Sequence, residues 1–243
     1  MKSLTDEAIV VGMMDYRETD RIIHLYTREH GRISGLARGA RKSVKRFGGV
    51  FELFARVSVN FLPADDLVVI SGADAVTIYP GIRTALGRIA SAGYAAELVA
   101  ALTPEKYPNK RIFRLLCAYF EKLDNSPAAP SDRHFFEINL LNILGYRPPL
   151  DGCARCGDSF TAEGGCWSPG QGHGIYCRQC SATGSSLGGS TICLLLESLK
   201  TGRFGTVCFN PVEIAEVDKF LEAFIAANIS RPLKSLAFLR LSP

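Results

Sequence analysis

The chain reads as an α+β protein of several small domains: an N-terminal β-barrel, then an all-α domain carrying a small four-cysteine, zinc-ribbon-like module. Three observations predict this. Apolar residues fall in short β-branched runs up to about residue 76 and take a helical period from about residue 82. Two Cys-x-x-Cys pairs interrupt the helical half between residues 150 and 183. With 243 residues, 47% hydrophobic and 21% charged, the chain has a folded, globular composition and room for two or three small cores. The expected divisions are 1–80 for the barrel, 81–149 and 184–243 for the two parts of the helical domain, and 150–183 for the cysteine module.

Five strands are expected in the first half. Residues 8–11 (Ala-Ile-Val-Val) form a short apolar run, and residues 21–27 are rich in β-branched and aromatic side chains. His30-Gly31 marks a turn before residues 32–37. Residues 51–61 alternate apolar and polar as a half-buried strand does, and a Pro-Ala-Asp-Asp turn leads to residues 67–70. Gly35, Gly39, Gly48 and Gly49 stand where a barrel needs sharp bends.

The helices follow. Residues 86–102 are apolar on most sides, as a central buried helix would be. Ile112, Leu115, Leu116, Tyr119, Phe120 and Leu123 make one apolar face. A third helix covers 135–144 and stops at Gly145, and a fourth covers 192–199. Asn210-Pro211-Val212-Glu213 is a helix-start signal, with Ile214, Val217, Leu221, Phe224 and Ile225 on the following stripe.

Cys153 and Cys156, then Cys177 and Cys180, are spaced as two thiolate pairs on tight turns that a hairpin brings together around tetrahedral zinc. Gly157 follows the first pair, where a positive φ would aim amides at the sulfurs. Disulfides are the rival reading, which a reducing compartment disfavours. Four thiolates would close the metal shell, so one structural Zn2+ is expected. His173 is an alternative ligand. Cys117, Cys166, Cys193 and Cys208 have no paired spacing, and His24, His30 and His134 read as packing or surface residues.

The net charge is only +4, but eight basic residues against two acids lie between residues 28 and 56. Residues 38–46 carry five cations and no acid. The bland reading is a solvated loop. The sharper one is a phosphate-binding surface: Arg38, Arg41, Lys42, Lys45 and Arg46, with Arg21 and Arg32 on adjacent strands. Phe47 is then a base-stacking candidate, although core packing is the default for these aromatics.

Enzyme signatures are missing. Residues 35–43 superficially resemble a phosphate-binding loop, but the glycines are one residue too close and Arg41 stands where the second glycine belongs. No catalytic role is expected. Nor is there a run of about 18 apolar residues to cross a membrane. Asp6, Glu7, Asp15, Glu18 and Asp20 crowd the first twenty residues, unlike a secretory signal, so a cytoplasmic protein is expected.

Taken in order, these stretches resemble the bacterial recombination mediator family RecO. The resemblance lies in residues 8–11 with 15–21 (Asp-Tyr-Arg-Glu-Thr-Asp-Arg), in 30–41 (His-Gly-Arg-Ile-Ser-Gly-Leu-Ala-Arg-Gly-Ala-Arg), in the four cysteines, and in Arg231-Pro232-Leu233-Lys234-Ser235. It implies an N-terminal OB-fold, a helical domain with a zinc module, and nucleoid association. It also implies a non-enzymatic role: binding single- and double-stranded DNA, annealing complementary strands, and acting with RecR to help RecA replace single-strand-binding protein (SSB). An RNA-binding OB protein and a protein-interaction scaffold are the alternatives.

Overall fold

The computed structural model describes residues 2–42, 47, 49–169, 174–181 and 183–241. They form two compact units. The first comprises Met1–Pro127 together with Leu233–Pro243, and the second Ala128–Pro232.

In the first unit, β1 (Leu4–Tyr16), β2 (Asp20–Thr27), β3 (Gly31–Ala37), β4 (Arg56–Leu62) and β5 (Val68–Thr77) close a barrel in the order β1-β2-β3-β5-β4. One long strand serves two neighbours. Residues 4–9 of β1 pair with β4, residues 8–16 pair with β2, and the register shifts between Val10 and Gly12. The β2–β3 hairpin turns at Gly31 (φ 71°), and β3 runs parallel to β5 to close the ring. This is the connectivity of an OB-fold. Val10, Ile23, Leu25, Ile33, Val59 and Ile70 fill the interior. At Gly35 a Cβ would lie 2.6 Å from the Ile70 side chain, so the close approach of β3 and β5 there requires glycine.

The strand expected at 51–61 begins only at Arg56. Residues before it fold across the barrel end: Phe54 takes φ 72°, its N–H donates to the Val10 carbonyl at 2.8 Å, and the Val10 N–H donates to Ala55 at 3.0 Å. These bonds carry the pairing on the β4 side of β1 one step beyond Ile9 and Arg56, so the Val10 backbone groups are satisfied.

After a 3-10 turn at Pro80–Thr84, α1 (Leu86–Leu102) and α2 (Lys110–Asn125) pack in the same unit. Phe120 of α2 meets Phe54 and Tyr79, with ring centres 5.3 and 6.1 Å away. Asn109 caps α2 by accepting from the Arg111 and Ile112 amides. A C-terminal helix (Lys234–Leu241), which no sequence signal announced, lies against α1. Glu97 holds its start, accepting from the Lys234 and Ser235 amides and from the Ser235 hydroxyl.

The second unit holds α3 (Pro130–Leu144), α4 (Gly189–Thr201), α5 (Pro211–Ala226) and a two-stranded sheet of β6 (Gly165–Trp167) and β7 (Ser185–Leu187), so that the C-terminal helix is α6 in chain order. The α3 helix starts five residues earlier than its apolar stripe suggests. Its first turns are polar but tied down: Ser131 accepts from the Phe209 amide at 3.0 Å, Asp132 accepts from Gly205 at 2.8 Å, and buried His134 bonds Glu137 at 3.0 Å. Gly145 ends it in the left-handed region, as expected. The reciprocal Asn210–Glu213 capping box opens α5. Between the two cysteine turns, Tyr176 adds a single antiparallel bridge to Cys166 of β6.

Candidate metal centre and cationic barrel rim

Two tight turns carry the cysteines. Around the first, the Gly157 N–H donates to the Cys153 carbonyl at 2.9 Å, with Gly157 at φ 80° as its position demanded. Around the second, the Cys180 N–H donates to Cys177 at 3.0 Å. The turns are tied together by the Ala154 N–H donating to Ile175 at 2.8 Å. Gly174 makes this approach possible, since a Cβ there would stand 2.5 Å from that of Ala154.

The four sulfurs of Cys153, Cys156, Cys177 and Cys180 all lie within 4.8 Å of one another, close enough to hold one metal ion. The Cys156 and Cys177 sulfurs are 3.8 Å apart. A disulfide needs about 2.05 Å, whereas metal–sulfur bonds of about 2.3 Å in a tetrahedron place sulfurs about 3.8 Å apart. Burial would raise the Cys153 thiol, but the amides of Cys156, Cys177 and Arg155 outweigh it and bring it down to about 6. At Cys156 the Asp158 amide favours the thiolate. The Asp158 carboxylate and Cys153 oppose it and push that thiol up to about 12. Clustered thiols thus resist becoming thiolates together, and a bound cation removes that conflict. The donor set fits a metal.

The basic loop leaves the barrel after β3. Gly39 turns at φ 71°, and its amide donates to the Asp20 carboxylate at 2.8 Å. The Arg41 N–H donates to Thr19 at 3.0 Å. The Gly39 amide, aided by the Thr19 hydroxyl and by Arg17 and Arg38, holds the Asp20 carboxyl below its usual range. Asp20 therefore roots the loop, a role that sequence reasoning missed. Arg38, Arg41 and Lys42 are exposed at this rim. Half-buried Arg21 joins them from β2, 2.9 Å from Asp15, and Arg41 lies 3.7 Å from the same carboxylate. Asp15 is itself 53% exposed, so these are solvent-exposed pairs, not buried locks. Arg17, stacked over Tyr16 at 5.2 Å, is a further cation at the same end. The expectations for Lys45, Arg46 and His173 lie outside the described residues.

Two expected members do not belong to the rim. Phe47 is only 3% exposed and packs in the barrel core against Phe51 at 5.4 Å, so it offers no face to a base. Arg32 pairs with Tyr26 five residues back along β3 from Ala37, about 17 Å away at strand rise. It faces Glu105 at 3.6 Å instead.

Comparison with known proteins gives this arrangement its relatives. Residues 1–79 match the family model described as Recombination protein O N terminal, and residues 83–237 the one described as Recombination protein O C terminal. The DNA repair protein RecO of Geobacter sulfurreducens is 49% identical over 240 residues, spanning 99% of this chain and 98% of that protein. Those of Geobacter metallireducens and Myxococcus xanthus are 48% and 35% identical over 242 residues, spanning 99% and 98% of this chain and 98% of each relative. With the barrel, helices α1–α5 and the cysteine cluster inside the matched regions, the chain belongs to the RecO family of DNA repair proteins.

Proposed function

We propose that the protein is a non-catalytic recombination mediator. It binds single- and double-stranded DNA, anneals complementary strands and, together with RecR, helps RecA replace SSB on the strand under repair. The observation that carries this reading is the rim of exposed Arg38, Arg41 and Lys42, joined by Arg21, beside a closed OB barrel. Annealing brings two polyanions together, and a cationic rim lowers their repulsion by displacing condensed counterions. Contacts to phosphates ignore base sequence, which suits a repair factor. The rim's exposed partners, Asp15 above all, cost little to exchange for phosphate.

The cysteine cluster takes one Zn2+ in a structural role. Four thiolates complete its shell and leave no position for a reacting water. The acid–base pair His134–Glu137 is sealed, at 0% and 2% exposure, and presents no group to a substrate.

Annealing of complementary strands coated with SSB tests the reading. Replacing Arg38, Arg41 and Lys42 with Ala should slow annealing at least tenfold with the melting temperature unchanged. A variant that anneals at the wild-type rate would contradict it.

A further inference from the structure

At the opposite end of the β2–β3 hairpin from the rim lies an exposed ring, followed in the chain by a second group of cations. The register runs from Arg21↔Ala37 at the rim to Thr27↔Gly31 at the hairpin turn, six steps or about 20 Å. Here the segment between α1 and α2 crosses the hairpin. The Lys106 N–H donates to Arg32 at 2.9 Å, and the Tyr107 backbone sits so close to Gly31 that a Cβ there would be 2.5 Å from the Tyr107 carbonyl carbon. Lys106 takes φ 59°. The backbone is therefore fixed, yet it turns Tyr107 outward, 71% exposed, with no ring or hydrogen-bond partner among the described residues.

Directly after it, α2 opens on Lys110, Arg111 and Arg114, all exposed, with no acid in its first turn. Positions 110, 111 and 114 share one face of the helix. Cations at a helix start oppose the macrodipole, so α2 gains nothing from them through its own dipole. Asn109 already occupies the first free amides, which leaves the side chains as the interacting groups. Lys110 lies 2.8 Å from the half-exposed Glu29, while Arg111 and Arg114 have no carboxylate partner among the described residues. A fixed, outward aromatic beside unpaired cations is the combination that sequence-indifferent single-strand sites use.

We propose that Tyr107, Lys110, Arg111 and Arg114 form a second site for single-stranded nucleic acid, with a base on the tyrosine and phosphates on the three cations. The site rests on the nucleic-acid reading above and gives annealing its second station, so that the rim and this patch each hold one strand.

Photo-crosslinking with an oligothymidylate carrying 5-iodouracil tests it, alongside salt titrations of affinity. The full-length protein should crosslink at Tyr107, and Tyr107→Ala should abolish that adduct. The adduct should persist when Arg38, Arg41 and Lys42 are replaced by Ala. Changing Lys110, Arg111 and Arg114 to Ala should slow annealing at least tenfold and flatten the log affinity against log salt slope by about 2, since each lost single-strand phosphate contact removes about 0.7. The melting temperature should hold or rise as the repulsion at the helix start is relieved. No adduct at Tyr107 and an unchanged slope, in a protein that still binds strands, would overturn this site alone. A wild-type protein without strand affinity would overturn both readings. A triple variant that keeps its strands but releases a poly-glutamate peptide held by the wild type would assign the patch to an acidic protein and overturn the proposal.

Discussion

Phe47 shows how a single residue decides between two roles. Its neighbours in sequence are Arg46 and Gly48, a context that suggests a ring offered to solvent. Inside the barrel it meets Phe51 and a cluster that includes Val57 and Val59. Burying an aromatic side chain stabilises the fold by about 1.5–3 kcal/mol, and a ring only 3% exposed has no face left for a base. Alternation could not reveal this, because residue 47 lies outside any strand and only the closed barrel creates the space it fills. Phe47→Ala should lower unfolding free energy by about 3–4 kcal/mol in urea titration, whereas Phe47→Leu should lose much less. Both folded variants should hold single-stranded DNA as wild type does. A Phe47→Leu protein that is fully stable but loses DNA would restore the stacking role. Asp20 is the converse case: one acid among several near the start of β2 gives no signal of its own, and only the approach of the Gly39 amide makes it the anchor of the basic loop.

Among the elements, the cysteine turns were legible because metal-ligand spacing is local, and the structure brings together all four sulfurs that the spacing selected. Removing the metal with chelator, or changing Cys177→Ser, should lower the melting temperature of the second unit first, since a closed thiolate site contributes folding energy. Amide exchange should quicken across residues 153–187 while β1–β5 stay protected. Unchanged exchange in protein shown to have lost its metal would contradict a structural role. The α6 helix was not legible, because what starts it is Glu97, 137 residues away in sequence. Burial alone would raise the Glu97 carboxyl, but the Ser235 hydroxyl and the Ser235 and Lys234 amides dominate and lower it. A carboxylate depressed on folding stabilises above its unfolded value, about 4.3, and that contribution fades as pH falls through the lower folded value. Resonances of residues 234–241 should therefore lose their helical shifts below about pH 4 before those of the barrel. In Glu97→Ala they should be frayed already at neutral pH. Full helicity in that variant would show that packing on α1 suffices without the clip.

On the scale of the whole molecule, the change from period-two to helical patterning located the barrel and the helices. It could not show that α1, α2 and the distant α6 share a compact unit with the barrel. Such partnership depends on contacts like Phe54 with Phe120, which no local pattern encodes. The same holds for charge. Composition located the cations at 38–42, but only the hairpin register separates Arg32 from them and sets a second cluster at the far end. We propose the barrel rim as an electrostatic surface for sugar–phosphate chains, and the salt dependence of binding reads that property out. For a short single strand engaging about six phosphates, log affinity against log salt should fall with a slope of about −4. It should be shallower by about 2 when Arg38, Arg41 and Lys42 become Ala. A slope near zero in the wild-type protein would contradict the account.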